Sequence, residues 1–451
     1  MPTSPTTPKL PAKKVGHDRA SSKLVTATSS STASSSAEWP ASTKALNVAR
    51  EFIKECARTS PSTLLVPDKD ADGLTGTLII YRTLVALGHD PTKLIVHFVG
   101  KGANPHREDE RARLAAHHVQ YAIIVDQGSR PGPVLVLGAK NLLVDHHLSD
   151  EFPEDTTVLS ACKYEPVATS ATLAYILCRP LHPSVVPGCD YLCAMGTLGD
   201  LGTSFQFRHP FPEEDMKVCF KKYTKKSINE AISLVNAPRR TSMFDVQSAW
   251  NALLYSTSPV DIVNPPRASK DQYAASQRLR KAREDTNAEV ERCTHTAPTF
   301  SGDGKVALLR IESAAQVHPV IATRWAGHLK SPKLQIVMVA NSGYTPGLVN
   351  FSCRIARCAR GRANEPDIDI IALLKSYALR EPGLSKAMGD DFARGHKQAS
   401  GGIVRTEQFE KLWAVMAQSA PENGDEGGSP RKKRKKEHTQ SNTLEGWVKR
   451  G

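Results

Sequence analysis

The stretch Leu64-Leu-Val-Pro-Asp-Lys-Asp-Ala-Asp-Gly73 constrains the fold more than any other part of the chain. An apolar run of β-formers, Leu64 to Val66, stops at Pro67, and carboxylates follow at Asp68, Asp70 and Asp72. Gly73 then opens an apolar segment whose spacing suits a buried helix. The pattern reads strand, acidic loop, helix. Carboxylates at alternate positions repel one another unless a cation lies between them, and oxygen-only donors favour a hard divalent ion such as Mg²⁺ or Mn²⁺. A solvated turn with an Asp helix cap is the other reading of the same residues.

The motif recurs in weaker form. Strands are expected at 94–99, 121–125, 134–137 and 141–144, and helices at 42–58, 108–117, 168–178 and 189–198. The runs at 121–125 and 141–144 stop at Asp126 and at Asp145-His146-His147. Continuous apolar strands alternating with helices predict a parallel sheet covered on both faces, where ligands gather beyond the strand C-termini. Asp or His at three separate strand ends favours a shared site over three unrelated turns.

Residues 206–295 are mixed in pattern. The last part, 268–292, is highly charged and predicts a long exposed helix connecting two lobes. A second α/β lobe is expected over 296–419, with strands at 305–311, 334–340 and 348–353 and helices at 318–328, 368–377, 383–392 and 407–418. The glycine-bracketed segment 394–402 reads as a polar turn. Residues 1–37 and 420–451 lack the apolar content to offset ordering entropy and read as disordered tails around a core lobe of 38–205.

Charge follows the same division. Residues 1–36 carry five Lys/Arg against one Asp, and 430–451 carry eight against two Glu, so a net +13 falls to +3 in between. A long basic groove is therefore not demanded of the body. Nine cysteines without CxxC pairs fit a reducing compartment. No apolar run reaches membrane-span length, and the polar start does not read as a secretory signal.

The segments Asp70-Ala-Asp72-Gly73, Val125-Asp126-Gln-Gly128, Val144-Asp145-His146-His147 and Gly196-Thr-Leu-Gly-Asp200 resemble, in order, the four motifs of the DHH phosphoesterase superfamily. Arg394-Gly-His-Lys-Gln-Ala-Ser-Gly401 resembles the GGHxxAAG motif of its DHHA1 partner domain. The combination is similar to RecJ-type exonucleases and short-oligonucleotide phosphodiesterases. The resemblance implies a two-lobed α/β hydrolase: a parallel-sheet DHH domain, then a smaller DHHA1 domain. It implies two divalent cations, Mn²⁺ or Mg²⁺. Asp70 and Asp126 would hold one, and Asp72, Asp126, His146 and Asp200 the other, with Asp126 bridging. His147 would contact phosphate, and Asp145 would support the histidines. The family usually carries His where this chain has Asp68, a position still able to ligate. In the second lobe Arg354, Gly395, His396 and Gly401 would face substrate; Arg394 stands where the motif has its first glycine.

The tail adds two signals. Arg431, Lys432, Lys433, Arg434, Lys435 and Lys436 form a basic run suited to nuclear import or to a nonspecific nucleic-acid arm. Leu444, Trp447 and Val448 resemble a PCNA-interacting peptide, with Ser441 in place of Gln. The expected function is metal-dependent hydrolysis of single-stranded DNA or short oligonucleotides in nuclear replication or repair. A phosphatase for small phosphoesters or polyphosphate, and a noncatalytic clamp-binding adaptor, are the alternatives.

Overall fold

The computed structural model describes residues 38–267, 269–362, 367–389 and 392–418. The basic run and the clamp-like peptide lie outside them.

The first lobe opens with α1 (Thr43–Thr59), capped by the Ser42 side chain, which accepts from the Ala45 N–H. β1 (Thr63–Pro67) leads into α2 (Ala71–Ala86). β2 (Leu94–Val96), α3 (Glu108–Ala115), β3 (Tyr121–Val125), β4 (Lys140–Asp145) and β5 (Thr156–Ser160) follow, then α4 (Ser170–Cys178) and α5 (Val185–Leu201). The five strands form one sheet in the order β2-β1-β3-β4-β5, and every pairing is parallel. Alternate strand residues serve opposite faces. Leu65, Ile123, Val125, Leu142 and Val144 pack under the helices, while Leu64, Val66, Ile124 and Leu143 meet Leu114 and Leu135 on the other side. That double coverage is why the strands are continuously apolar.

Two expectations for this lobe change. Residues 134–137 are not a strand. Asn141 binds the Val136 backbone on both sides, accepting from its N–H at 3.1 Å and donating to its carbonyl at 2.9 Å. Leu135 and Val136 are thus buried in a loop whose polar groups are met by a side chain. The fifth strand is instead β5, a half-exposed edge with polar Thr156, Thr157 and Ser160 and little apolar signal.

The helices α6 (Glu213–Lys222), α7 (Lys225–Val235), α8 (Val246–Leu254) and α9 (Pro259–Val263) contribute to the first core, with a 3₁₀ turn at Pro238–Arg240 between α7 and α8. α10 (Lys270–Arg292) places Ala275 and Leu279 in that core and Val290 in the next.

The second lobe contains β6 (Thr299–Phe300), β7 (Val306–Ile311), α11 (His318–His328), β8 (Ile336–Thr345), β9 (Leu348–Ile355), α12 (Ile370–Ala378), α13 (Leu384–Met388), β10 (Arg394–His396), β11 (Ala399–Arg405) and α14 (Thr406–Gln418). Its sheet order is β10-β11-β9-β8-β7-β6, antiparallel except for β7 with β8. The segment expected as a polar turn is therefore a hairpin, and β11 continues it through Ile403 and Val404 into the sheet. Among the described residues of the helix expected at 383–392, 384–388 are helical, between Gly383 and Gly389 at positive φ. Among the described residues no helix is long and apolar enough to cross a membrane.

Candidate functional site

The C-terminal ends of β1, β3 and β4 converge. Asp68 leaves β1 and donates its N–H to the Val125 carbonyl at 2.9 Å, which ties the acidic loop to the end of β3. Asp70 caps α2, its Oδ1 accepting from the N–H groups of Asp72 at 3.0 Å and Gly73 at 3.3 Å. Asp72 lies in the first turn of α2 and is 2% exposed. Its two oxygens accept from the N–H groups of Ser170 (2.8 Å) and Ala171 (3.0 Å) at the start of α4. Orphan amides at a helix N-terminus thus hold this carboxylate in place.

Asp126 takes φ +65°, a left-handed conformation that Asp tolerates better than most residues. Its N–H still joins the Val144 carbonyl at 2.9 Å, and its Oδ1 accepts from Ser170 Oγ at 2.9 Å. The turn aims the carboxylate inward from the strand end.

After β4, fully buried Asp145 organises two histidines. Its Oδ1 accepts from the His146 N–H (2.7 Å), the His147 N–H (3.2 Å) and His147 Nδ1 (2.8 Å), while its Oδ2 accepts from the Ser129 N–H at 3.2 Å. His146 Nε2 then lies 3.3 Å from Asp126 Oδ1, 3.8 Å from Asp72 Oδ2 and 3.9 Å from Asp200 Oδ2. Asp200 reaches this point from the last turn of α5.

Two triads have ligand atoms all within 4.8 Å of one another: Asp68, Asp70 and Asp126, and Asp126, His146 and His147. Asp126 is common to both. The structure thus brings together all the residues singled out in the first lobe. Asp72 and Asp200 approach the same Nε2 of His146 but belong to neither triad, and His147 Nδ1 lies 3.9 Å from Asp126 Oδ1.

Electrostatics follow from this crowding. Burial and the neighbouring Asp126 push Asp72 well above the usual carboxylate range, and burial with Asp70 does the same to Asp126. Burial also acts on Asp70, but Arg239 and Lys69 outweigh it and leave Asp70 lowered. Asp145 is lowered despite its burial because His147 faces it. His147 is correspondingly raised well above an ordinary imidazole by Asp145, against the effect of burial. The donor set is carboxylate oxygen and imidazole nitrogen, with no thiolate among them. It fits Mn²⁺ or Mg²⁺, and such ions would neutralise the carboxylates that now oppose one another.

Sequence reasoning missed several supports. Arg239, in the 3₁₀ turn after α7, places Nη2 3.7 Å from Asp70 Oδ2. Asn236 accepts from the Ala71 N–H at 3.1 Å and from Arg239 Nε at 3.2 Å. Beside them Arg240 is pushed down to about 9 by burial and by Arg239. His106 Nε2 bonds the Gly128 carbonyl at 2.9 Å and buttresses the Asp126 loop. The adjacent pair Arg239-Arg240 was a usable signal; Ser170 and His106 had none.

In the second lobe, strand pairing gathers the motif residues expected to face substrate. Gly401 pairs with Ser352, Ala399 with Arg354 and Gly395 with Ser400. The glycines have a structural reason to be there. A Cβ at Gly401 would lie 2.3 Å from the Phe351 carbonyl oxygen, and one at Gly395, which has φ +109°, would lie 2.6 Å from that of Ala399. His396 ends β10. Arg354 donates only to Ser352 Oγ and the Cys353 carbonyl, at 2.9 and 2.8 Å, with no carboxylate within 4 Å among the described residues.

A parallel α/β domain with carboxylates and imidazoles gathered at its strand ends is the class that fold and site define. Residues 62–196 match the family described as "DHH family, N-terminal domain". The chain therefore carries a DHH-family domain, and the superfamily resemblance holds. A single-stranded-DNA-specific exonuclease RecJ of Thermus thermophilus is 28% identical over 186 residues, which is 38% of this chain and 27% of that protein. Two solved structures share the fold at 18% identity. RecJ of Thermus thermophilus with Mn²⁺ has a TM-score of 0.58, covering 83% of this chain and 54% of that one. An exonuclease RecJ bound to manganese has a TM-score of 0.56, covering 83% of this chain and 93% of that one. The chain thus spans about half the length of the Thermus structure.

Proposed function

We propose that the protein is a metal-dependent phosphoesterase that hydrolyses phosphodiester bonds in single-stranded DNA or short oligonucleotides. The carrying observation is the position of Asp126, one carboxylate shared by two groups of three ligand atoms. The DHH-family domain and the exonuclease relative support the reading.

Asp68, Asp70 and Asp126 would hold one divalent ion, and Asp126, His146, Asp72 and Asp200 a second, each Mn²⁺ or Mg²⁺. Bound there, a cation pair supplies Lewis-acid polarisation of the phosphoryl group and neutralises its charge. The protein's own groups do the rest. His147, 43% exposed at the mouth, bonds Asp145 Oδ1 through Nδ1 at 2.8 Å, and its Nε2 would meet a phosphoryl oxygen. Ser170 and the start of α4 fix Asp126 and Asp72, so the carboxylates need not reorganise during the reaction. Arg354 and the hairpin at 394–401 would anchor the strand from the second lobe.

Nuclear location belongs to the same proposal and rests on the basic run Arg431–Lys436. A role in replication or repair rests on the clamp-like Leu444, Trp447 and Val448. Purified protein with Mn²⁺, offered labelled single strands, dinucleotides and pyrophosphate, tests the activity. Turnover of the nucleotide substrates that disappears in Asp126→Asn is expected. Turnover of pyrophosphate alone would replace the reading by a small-molecule phosphatase, and none at all by an adaptor. Equal clamp recovery by wild type and a Leu444→Ala/Trp447→Ala variant would remove the clamp partner.

A further inference from the structure

The two metal positions that share Asp126 are held by partners of different charge. Around the second, the donors are neutral. Asp72 accepts from the Ser170 and Ala171 N–H groups, and Asp126 from Ser170 Oγ. Among the described residues the only basic side chains within 4 Å of the Asp72, Asp126 and Asp200 carboxylates are His146 and His147.

The first position carries cations of its own. Lys69 Nζ donates to Asp68 Oδ1 at 2.9 Å, and Arg239 Nη2 lies 3.7 Å from Asp70 Oδ2. Both side chains are charged at neutral pH. A divalent ion on Asp68 and Asp70 therefore meets like charge that an ion on Asp72 and Asp200 does not, and such repulsion counts even where water screens it.

The two cations differ in freedom. Arg239 is pinned, with Nε donating to Asn236 at 3.2 Å and Nη1 to Gln316 at 3.5 Å. Lys69 Nζ hydrogen-bonds only Asp68 among the described residues, and its side chain is 32% exposed in the lining of a narrow pocket beside the acidic loop. A flexible four-carbon stem lets its ammonium swing away. The guanidinium stays, and the ammonium is the one able to leave.

We propose that Lys69 is a displaceable counter-ion on Asp68, given up when a divalent ion binds there, and that it makes the Asp68, Asp70 and Asp126 position the weaker of the two. The proposal rests on the two-metal reading above and deepens it by setting the order of filling: the position at Asp126, His146, Asp72 and Asp200 first, the one at Asp68 and Asp70 second. A structural ion pair between neighbours in the chain would affect stability and leave metal affinity alone.

The test is binding, not turnover. Mn²⁺ titration of the full chain, with the free ion read from its electron paramagnetic resonance signal, should give two classes of site differing roughly 10-fold or more in affinity. Lys69→Gln should tighten the weaker class roughly 10-fold, the effect of removing one nearby charge, and leave the tighter class unchanged. Lys69→Arg keeps the charge and should keep the wild-type pattern. Should Lys69→Gln melt early in EDTA, Lys69→Ala carries the same comparison. Two classes that shift in this way, in a protein that hydrolyses no phosphodiester, would remove the function proposed above and leave the role of Lys69 standing. A single class in wild type, or a weaker class that loss of the Lys69 charge does not tighten, would overturn that role whatever the turnover. No Mn²⁺ bound at all would overturn both.

Discussion

The two sheets meet the region between them with different chemistry. The first gathers carboxylates at parallel strand ends and fixes them with backbone amides, so the oxygens stay close although they repel. The second presents Arg354, whose hydrogen bonds among the described residues go only to neutral partners, and glycines that its strand pairing requires. A cluster strained by like charge is built to take up cations. The comparison teaches how the proposed function divides between the lobes: the first would hold metal and the second would meet the phosphate of the substrate.

The largest expected effect tests the first half. Asp126→Asn should lower turnover about 1000-fold or more, since several kcal/mol of transition-state stabilisation depend on the shared carboxylate. Without metal the same variant should be no less stable than wild type, because it removes a charge that Asp70 and burial oppose. A Tm rise with Mn²⁺ in wild type but not in Asp126→Asn, read by calorimetry, separates the two effects.

Next come two glycines chosen to break the comparison. A Cβ at Gly196 would lie 2.3 Å from Ala171 Cβ and 2.8 Å from Asp72 Oδ1. Gly196→Ala should cost about 1–3 kcal/mol and weaken Mn²⁺ binding together, through displaced Asp72. Gly401→Ala meets the Phe351 carbonyl and should cost about as much with Mn²⁺ affinity unchanged. If both variants weaken the metal alike, the lobes do not divide the work as described.

A pH effect isolates the second lobe. His318 is 5% exposed, and burial with nearby Arg354 lowers it to about 3. The folded state therefore holds it neutral, while the unfolded chain binds a proton near pH 6.5. Its contribution is complete above pH 6.5 and shrinks as pH falls toward 3, by about 2 kcal/mol at pH 5. Urea unfolding at pH 7 and pH 5 should show this loss in wild type and a smaller one in His318→Phe. The smallest effect concerns the seam itself. Lys101 donates to the Ala314 carbonyl at 2.6 Å and lies 4.6 Å above the Tyr344 ring. Lys101→Ala should cost about 0.5–1 kcal/mol of stability by the same assay.

Legibility in the sequence followed physical cause. The parallel sheet and its acidic strand ends were readable because strands buried on both faces are continuously apolar, so their ends stand out at Asp68, Asp126 and Asp145. β5 was not, because a half-exposed edge of Thr and Ser has no such contrast. The run 134–137 misled because burial in a loop also selects apolar residues once Asn141 meets the backbone. In the site, the opening acidic stretch and the four motifs located the carboxylates and imidazoles of both triads, with Asp72, Asp145 and Asp200. Arg239, Ser170 and His106 stayed hidden because each arrives from a distant segment through one hydrogen bond or ion pair.

The most direct test is diffraction from crystals grown with Mn²⁺, using anomalous signal to locate the metal. Two peaks about 3.5–4 Å apart, with the Asp126 carboxylate between them and His146 on one side, are the predicted result. Ordered manganese elsewhere, or none within reach of Asp126 at saturating Mn²⁺, would contradict it.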